Sequence, residues 1–341
     1  MSLLYVVNRR PTDVLGRVSV IDINKHAVIS TIQVGNSPRS IAVSPNGQFA
    51  YVLNNGEDTV SVIDTKKHIV IATIEVGETS KTLEITPDGQ TAYVSSEETV
   101  TVIDVKTNRV IATVQVGLTL TGQQIIAITP DGKLLYIPND DPTVSVIDTK
   151  KNVVIATIFV GVDPERLVIT PDGKYVYVIN EDAATISVVD IKTQSVIGTV
   201  ELTGGINVGR IVFTPNSQFA YVTDEEAFSV FVIDIKVHSL IAIVEVGDGA
   251  ESLVITPNGQ FVYVGNANEQ TVSVIDVKTH TVIATVRAGN DINRLAVTSD
   301  GQLVYVGNAD DGTLTVIDVK TQAVIATIQV EEEPTEMAVI P

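Results

Sequence analysis

The chain has 341 residues, of which 44% are hydrophobic and 18% are charged, so it has enough apolar side chains for a large core and is not a disordered chain. It contains no cysteine, which excludes disulfides and thiolate zinc sites, and its net charge of −19 argues against a protein that binds nucleic-acid phosphates. No apolar run reaches the roughly 18 residues of a membrane span, and residues 1–11 lack the apolar core of a signal peptide. We therefore expect no membrane insertion and no secretion signal.

Three short motifs recur along the whole chain. An Ile-Asp or Val-Asp pair returns every 40–44 residues, a tyrosine heads a second series, and a Pro-Asp-Gly turn or a variant forms the third. The aspartates are Asp22, Asp64, Asp104, Asp148, Asp190, Asp234, Asp276 and Asp318. The tyrosines are Tyr5, Tyr51, Tyr93, Tyr136, Tyr177, Tyr221, Tyr263 and Tyr305. Eight repeats of about 42 residues fill the chain, so residues 1–341 are predicted to form a single domain.

Each repeat contains four short segments with the composition of β-strands. In one repeat they are residues 82–86, 91–95, 100–104 and 110–116, which are rich in Val, Ile, Thr and Tyr and bounded by Gly, Pro, Asn and Asp. No stretch keeps a 3.6-residue period long enough for a helix. Four strands in a unit of 40–45 residues are typical of a propeller blade.

The two ends of the chain are complementary parts of one repeat. Residues 4–8 match a second strand and residues 336–340 match a first strand. The C-terminal strand would then complete the first blade and remove exposed sheet edges. A superhelical stack is the alternative, but it needs polar capping repeats, and both end units are ordinary. The predicted fold is an all-β, single closed eight-bladed β-propeller with four antiparallel strands per blade.

The repeats resemble a known family. Residues 51–54 read Tyr-Val-Leu-Asn, residues 177–180 read Tyr-Val-Ile-Asn and residues 263–266 read Tyr-Val-Gly-Asn, each followed by Ser-Val-Ile-Asp or a variant. This pattern is similar to the YVTN-type β-propeller repeat over all eight units. The resemblance implies a surface-layer or extracytoplasmic protein with a binding or scaffold role. The close likeness of the repeats also leaves open a domain trimmed from a longer protein or an engineered repeat protein.

Charge is distributed unevenly between the two predicted faces. The loops between second and third strands and the links between blades form a top face with a charge of about −17, whereas the opposite face carries about +1. Such a field attracts a cationic protein surface and keeps the protein monomeric, although solubility alone also explains it. The acidic residues that we expect to bind the partner are Glu97, Glu98, Asp140, Asp141, Glu225 and Glu226. A hard cation such as calcium is a weaker alternative, because no loop has regular calcium-ligand spacing.

Basic residues lie five or six positions before the Pro-Asp-Gly turns, at the expected mouth of the central channel. They are Arg39, Lys81, Arg166, Arg210 and Arg294. Arginine suits carboxylate or phosphate, so these residues could bind a small anion. The alternative is that they pair with nearby glutamates at positions 84, 165, 251 and 336. Two longer links, residues 117–124 and 203–209, bring apolar residues 118, 120, 206 and 208 to the same face as a lid or as simple loop variation.

Catalytic motifs are absent from the repeat pattern. The four histidines, His26, His68, His238 and His280, follow the repeated aspartate by four residues and are predicted to lie in turns away from the channel. Haem-binding propellers need an axial ligand there, and quinone-dependent propellers carry tryptophans, which this chain lacks. We expect no cofactor, no metal and no enzymatic turnover. A metal-assisted lactonase- or lyase-like enzyme that uses carboxylates remains the alternative.

Overall fold

The computed structural model describes residues 2–9, 15–117, 126–202, 208–224, 226–330 and 333–341, and these residues form eight four-stranded antiparallel sheets. Each sheet is called a blade and numbered along the chain. Blade 1 contains β1 (Leu3–Asn8), β2 (Leu15–Asp22), β3 (Ala27–Asn36) and the last strand of the chain. Blade 2 contains β4 (Pro38–Val43), β5 (Phe49–Asn54), β6 (Thr59–Asp64) and β7 (Ile69–Glu75). Blade 3 contains β8 (Thr82–Ile85), β9 (Thr91–Ser95), β10 (Thr99–Asp104) and β11 (Arg109–Gln115). Blade 4 contains β12 (Ala127–Ile128), β13 (Leu134–Pro138), β14 (Thr143–Asp148) and β15 (Val153–Phe159).

The second half of the chain repeats the same pattern. Blade 5 contains β16 (Pro164–Ile169), β17 (Tyr175–Asn180), β18 (Thr185–Asp190) and β19 (Ser195–Glu201). Blade 6 contains β20 (Val208–Phe213), β21 (Phe219–Asp224), β22 (Ser229–Asp234) and β23 (Ser239–Glu245). Blade 7 contains β24 (Ala250–Ile255), β25 (Phe261–Asn266), β26 (Thr271–Asp276) and β27 (Thr281–Arg287). Blade 8 contains β28 (Ile292–Val297), β29 (Leu303–Asn308), β30 (Thr313–Asp318) and β31 (Ala323–Gln329), and β32 (Pro334–Ile340) follows.

Blade 1 contains strands from both ends of the chain. Its strand order is β3-β2-β1-β32, and β32 pairs antiparallel to β1 with Leu3 opposite Ile340 and Tyr5 opposite Ala338. The predicted fold class is therefore confirmed: eight blades of four antiparallel strands, the first completed by the C-terminal strand.

The blades group by their internal contacts into two compact units of four. Residues 34–203 form the central unit, which holds blades 2–5, and residues 1–33 with 204–341 form the terminal unit, which holds blades 1 and 6–8. The prediction that residues 1–341 are a single domain stays a prediction. No helix in the described ranges has the length and apolarity that a bilayer-spanning segment needs.

The hydrophobic core lies between successive blades of each unit. In the central unit, Tyr51 and Val62 of blade 2 pack with Leu83 and Val94 of blade 3. Burying such apolar side chains stabilises a fold by roughly 1.5–3 kcal/mol each, so the blades support one another. The eight repeated tyrosines are all fully buried. The fourth strands have exposed Ile and Val side chains. In each of blades 2 to 8, a β-bulge interrupts the pairing between the third and the fourth strand.

The repeated aspartate holds the turn that follows each third strand. In blade 2, the carboxylate of Asp64 accepts hydrogen bonds from the backbone N–H groups of Lys66 and Lys67, at 3.1 and 2.9 Å. The ammonium group of Lys67 lies 3.1 Å from the second carboxylate oxygen. The repeated aspartate therefore has a structural role in the turn that follows it.

Candidate functional site

The five predicted basic residues occupy two different positions in the first strands. Arg39 is the second residue of β4 and Lys81 directly precedes β8, whereas Arg166, Arg210 and Arg294 are third residues of β16, β20 and β28. The pairing of first and second strands shifts register at this point, for example between Pro38 and Ser40 or between Pro164 and Arg166. Arg39 and Lys81 lie six positions before their turns and the other three lie five before, so the five residues occupy two neighbouring positions of the strand, within and just after the bulge.

In the central unit, Lys81 lies among charged side chains of three blades. Its side chain is buried, and this burial lowers the pKa of its ammonium group. The carboxylates of Glu97 and Asp140 act in the opposite direction, and the charge of Arg39 adds to the lowering. The basic residue is therefore within electrostatic reach of two acidic residues that were predicted to bind a partner.

Carboxylates crowd together at the start of blade 5, also in the central unit. The pKa of Glu181 is raised to about 7, first by burial and then by a hydrogen bond with Glu165 and the negative charge of that residue, while Arg166 opposes the shift. The Nε atom of Arg166 lies 3.9 Å from a carboxylate oxygen of Glu165. Burial also raises the pKa of Asp163, and the charges of Asp182, Glu165 and Asp140 add to this effect. We call Asp163, Glu165 and Glu181 the blade 5 carboxylate cluster.

The acidic residues predicted to form a partner-binding face differ in their surroundings. Glu97, Glu98, Asp140 and Asp141 are exposed in the loops after β9 and β13 of the central unit. In the terminal unit Glu226 is exposed, while Glu225 lies outside the described residues. The neighbouring Asp224 is fully buried at the end of β21, where it accepts hydrogen bonds from the backbone N–H groups of residues 226 and 227.

In the terminal unit, Arg294 forms an ion pair. Its Nε atom donates a 3.0 Å hydrogen bond to a carboxylate oxygen of Glu336, and Nη1 donates to the carbonyl of Asn293. Arg210 is partly buried, and its backbone N–H donates to the hydroxyl of Thr223. Pairing with glutamate, which the sequence left open, therefore occurs at Arg294 and, more loosely, at Arg166.

Glu84 is not paired with these basic residues. It is the third residue of β8, opposite Tyr93, at the position that Ala42, Ala127 and Val168 occupy in the other central blades. Burial alone raises its pKa to about 7. The residue could have been singled out from the repeat alignment, because the other seven repeats have Ala or Val at this position.

The structure places the histidines in turns, as predicted. His26, His68, His238 and His280 have positive φ angles of 49°, 56°, 50° and 54° after the repeated aspartate. Within the described ranges, no group of three or more His, Asp or Glu side chains is arranged to hold a metal ion.

The apolar residues 118, 120 and 206 of the longer links lie outside the described residues, and Val208 is buried in β20.

These observations define a β-propeller with clustered charges at the starts of its first strands. The comparisons with known proteins support the propeller fold. The model of the YNCE-like beta-propeller family matches residues 41–341, so the chain belongs to this family. No curated protein matches the chain.

Solved structures of other proteins share the fold. Hydrazine synthase of Kuenenia stuttgartiensis is 22% identical with a TM-score of 0.67, over 83% of this chain and 95% of that chain. Dihydro-heme d1 dehydrogenase NirN in complex with DHE is 14% identical with a TM-score of 0.85, over 98% of this chain and 74% of that chain. At such identities the likeness shows the fold alone, because one fold hosts many unrelated functions.

Proposed function

We propose that this protein is a non-enzymatic binding or scaffold propeller whose acidic loops bind a cationic protein surface. The observation that carries the proposal is the blade 5 carboxylate cluster, in which burial and the negative charge of Glu165 raise the pKa of both Asp163 and Glu181. Like charges held together favour an approaching cation, because a Lys or Arg side chain relieves their repulsion.

The exposed acidic loops extend the same negative surface of the central unit. Asp140 acts electrostatically on both Lys81 and Asp163, so the carboxylates of blades 3, 4 and 5 lie within reach of one another. Their field would steer a basic partner at low ionic strength, where the Debye length is about 30 Å at 0.01 M against about 8 Å at 0.15 M. An extracytoplasmic location is part of the proposal and follows from the family resemblance.

Small-anion binding at the basic residues stays a prediction. Glu97 and Asp140 near Lys81, and Glu336 beside Arg294, weigh against it because their negative charges offset the positive ones.

The proposal is tested with a basic probe, polylysine, in calorimetric titrations at low and physiological salt. The test variant combines Glu97→Gln, Glu98→Gln, Asp140→Asn and Asp141→Asn. The control combines Asp88→Asn, Asp131→Asn and Asp172→Asn at turns where blades 2, 6 and 7 carry Asn in the same position. We expect the test variant to bind at least tenfold more weakly at low salt and the control to bind like the parent. Equal binding by the test variant and the parent would overturn the proposal.

Proton release gives a second readout, because generic charge attraction alone would not release protons. Because Glu181 has a pKa of about 7, a bound cation should ionise it, so affinity should rise between pH 6 and pH 8 and protons should be released. Titrations in two buffers of different ionisation enthalpy measure this release. Glu181→Gln should abolish it, and an unchanged release in that variant would contradict the role of the cluster.

A further inference from the structure

A cavity of about 530 Å³ lies between blades 4 and 5, at the end of the central unit where the Pro-Asp-Gly turns lie. Its volume falls within the roughly 300–1,000 Å³ of small-molecule sites. The cavity is far along the strands from the acidic loops, since first-to-second strand turns and second-to-third strand loops are at opposite ends of a blade. Its lining includes Thr129, Pro130, Leu134, Lys150, Gly173 and Ile191.

The residue beside the cavity is aliphatic, whereas three other blades have phenylalanine at the same position. Leu134 is the first residue of β13, where Phe49, Phe219 and Phe261 stand in other blades. Between blades 6 and 7, the ring of Phe219 packs edge-on against His280 with centroids 4.8 Å apart. The equivalent pair between blades 4 and 5 is Leu134 and Gln194, which has no such ring contact and leaves space.

The floor of the cavity is apolar. Leu134 and Ile191 both pack against the hydrophobic core between blades 4 and 5. Pro130 and the backbone of Gly173 complete this part of the lining. A ligand with an apolar body would therefore be removed from water at the end of an existing core.

One ammonium group at the rim of the cavity, that of Lys150, has no carboxylate partner among the described residues. The three aspartates of the rim are already in ion pairs: Asp131 with Lys133 at 2.8 Å, Asp148 with Lys151 at 3.2 Å and Asp172 with Lys174 at 2.7 Å. The ammonium group of Lys150 makes no hydrogen bond or ion pair with any residue of the described ranges. The pairs leave Lys150 as the available charge beside the apolar floor.

We propose that this cavity binds a small amphipathic monoanion, with its apolar body on Leu134 and Ile191 and its carboxylate at the ammonium group of Lys150. An aromatic or medium-chain carboxylate has this chemistry. The site is independent of the cationic partner proposed above, because it uses a different end of the blades and the opposite ligand charge.

The test compares two probes of similar shape, 1-naphthoate and the neutral 1-naphthalenemethanol, by ligand-observed NMR and calorimetry on the full chain. We expect 1-naphthoate to bind at least fivefold more tightly than the alcohol, with an advantage that shrinks as salt is added. Equal binding of the two probes would overturn the anion assignment, and this comparison needs no variant.

Matched variants locate the site. Leu134→Phe should fill the cavity and weaken 1-naphthoate binding at least tenfold, whereas Leu303→Phe, the same change at the same position of blade 8, should leave it unchanged. Lys150→Gln should weaken binding about fivefold, whereas Lys278→Gln, at the equivalent turn of blade 7, should not. The proposal is overturned if Leu134→Phe binds like the parent or if a control variant loses as much affinity as its partner. Thermal melting of each variant verifies that it is folded.

Discussion

The hydroxyl of Tyr221 lies 2.7 Å from Nδ1 of His280, and this hydrogen bond joins a strand of blade 6 to a turn of blade 7. The tyrosine is fully buried, and the histidine has a left-handed backbone that aims its side chain back at the preceding blade. Equivalent bonds join Tyr51 with Asn108, Tyr93 with Asn152, Tyr136 with Gln194 and Tyr263 with Gln322. The two repeated motifs are thus halves of one contact between neighbouring blades.

Acidification should weaken the bond between Tyr221 and His280. Burial lowers the pKa of His280, and the charge of Asp276 only partly offsets this shift. The folded protein therefore binds fewer protons than the unfolded chain just below the ordinary histidine pKa of about 6.5, so the stability from this group is present above that pH and is lost as the pH falls. Thermal unfolding midpoints of the parent and of His280→Gln, measured between pH 5 and pH 8, test this expectation.

Glutamine is a suitable replacement because Gln322 accepts the equivalent bond from Tyr263 at 2.8 Å. His280→Gln should reduce the loss of stability on acidification, while Tyr221→Phe should cost about 1 kcal/mol at pH 8 by removing the bond and less at pH 5, where the bond is already weakened. If His280→Gln shows the same pH dependence as the parent, the histidine does not carry the effect.

Glu84 should produce the opposite pH dependence. Burial raises its pKa to about 7, so its stability contribution is fully present below the ordinary value of 4.5 and is lost as the pH rises through about 7. Glu84→Ala, which introduces the residue found at positions 42 and 127, should stabilise the protein at pH 8 by about 2 kcal/mol, a value reduced by the partial exposure of the side chain.

Chemical unfolding of the parent and of Glu84→Ala at pH 4 and pH 8 measures this difference. The two proteins should be close in stability at pH 4, where the glutamate is mostly neutral in both states. A gain that is equally large at both pH values would show that packing, not ionisation, governs the position.

Removal of the C-terminal strand should destabilise blade 1. Deleting residues 334–341 exposes the edge of β1 and removes Met337 and Val339 from the core that they share with Tyr305. Two or three buried aliphatic side chains are worth roughly 1.5–3 kcal/mol each, so we expect a loss of several kcal/mol and a lower thermal midpoint. An unchanged midpoint would mean that β32 contributes nothing to the stability of the blade.

The number of blades, the four strands of each and the completion of blade 1 could all be predicted from the sequence. These features depend on local signals that recur eight times, such as the turn held by Asp64 or the apolar runs of the inner strands. A repeated signal is read with little error because every copy supports the others. The turn position of the histidines was predictable for the same reason.

The candidate sites depended on contacts that no local pattern encodes. The burial of Asp224 removes it from the acidic surface, and the pKa of Glu181 depends on Glu165, which is 16 positions away in the chain. The cavity beside Leu134 likewise requires two blades to be packed together. The sequence by itself determined the repeat, the strands and the turns, because these follow from neighbours along the chain; only the tertiary structure decided which charges meet and where space remains, because these follow from packing between blades.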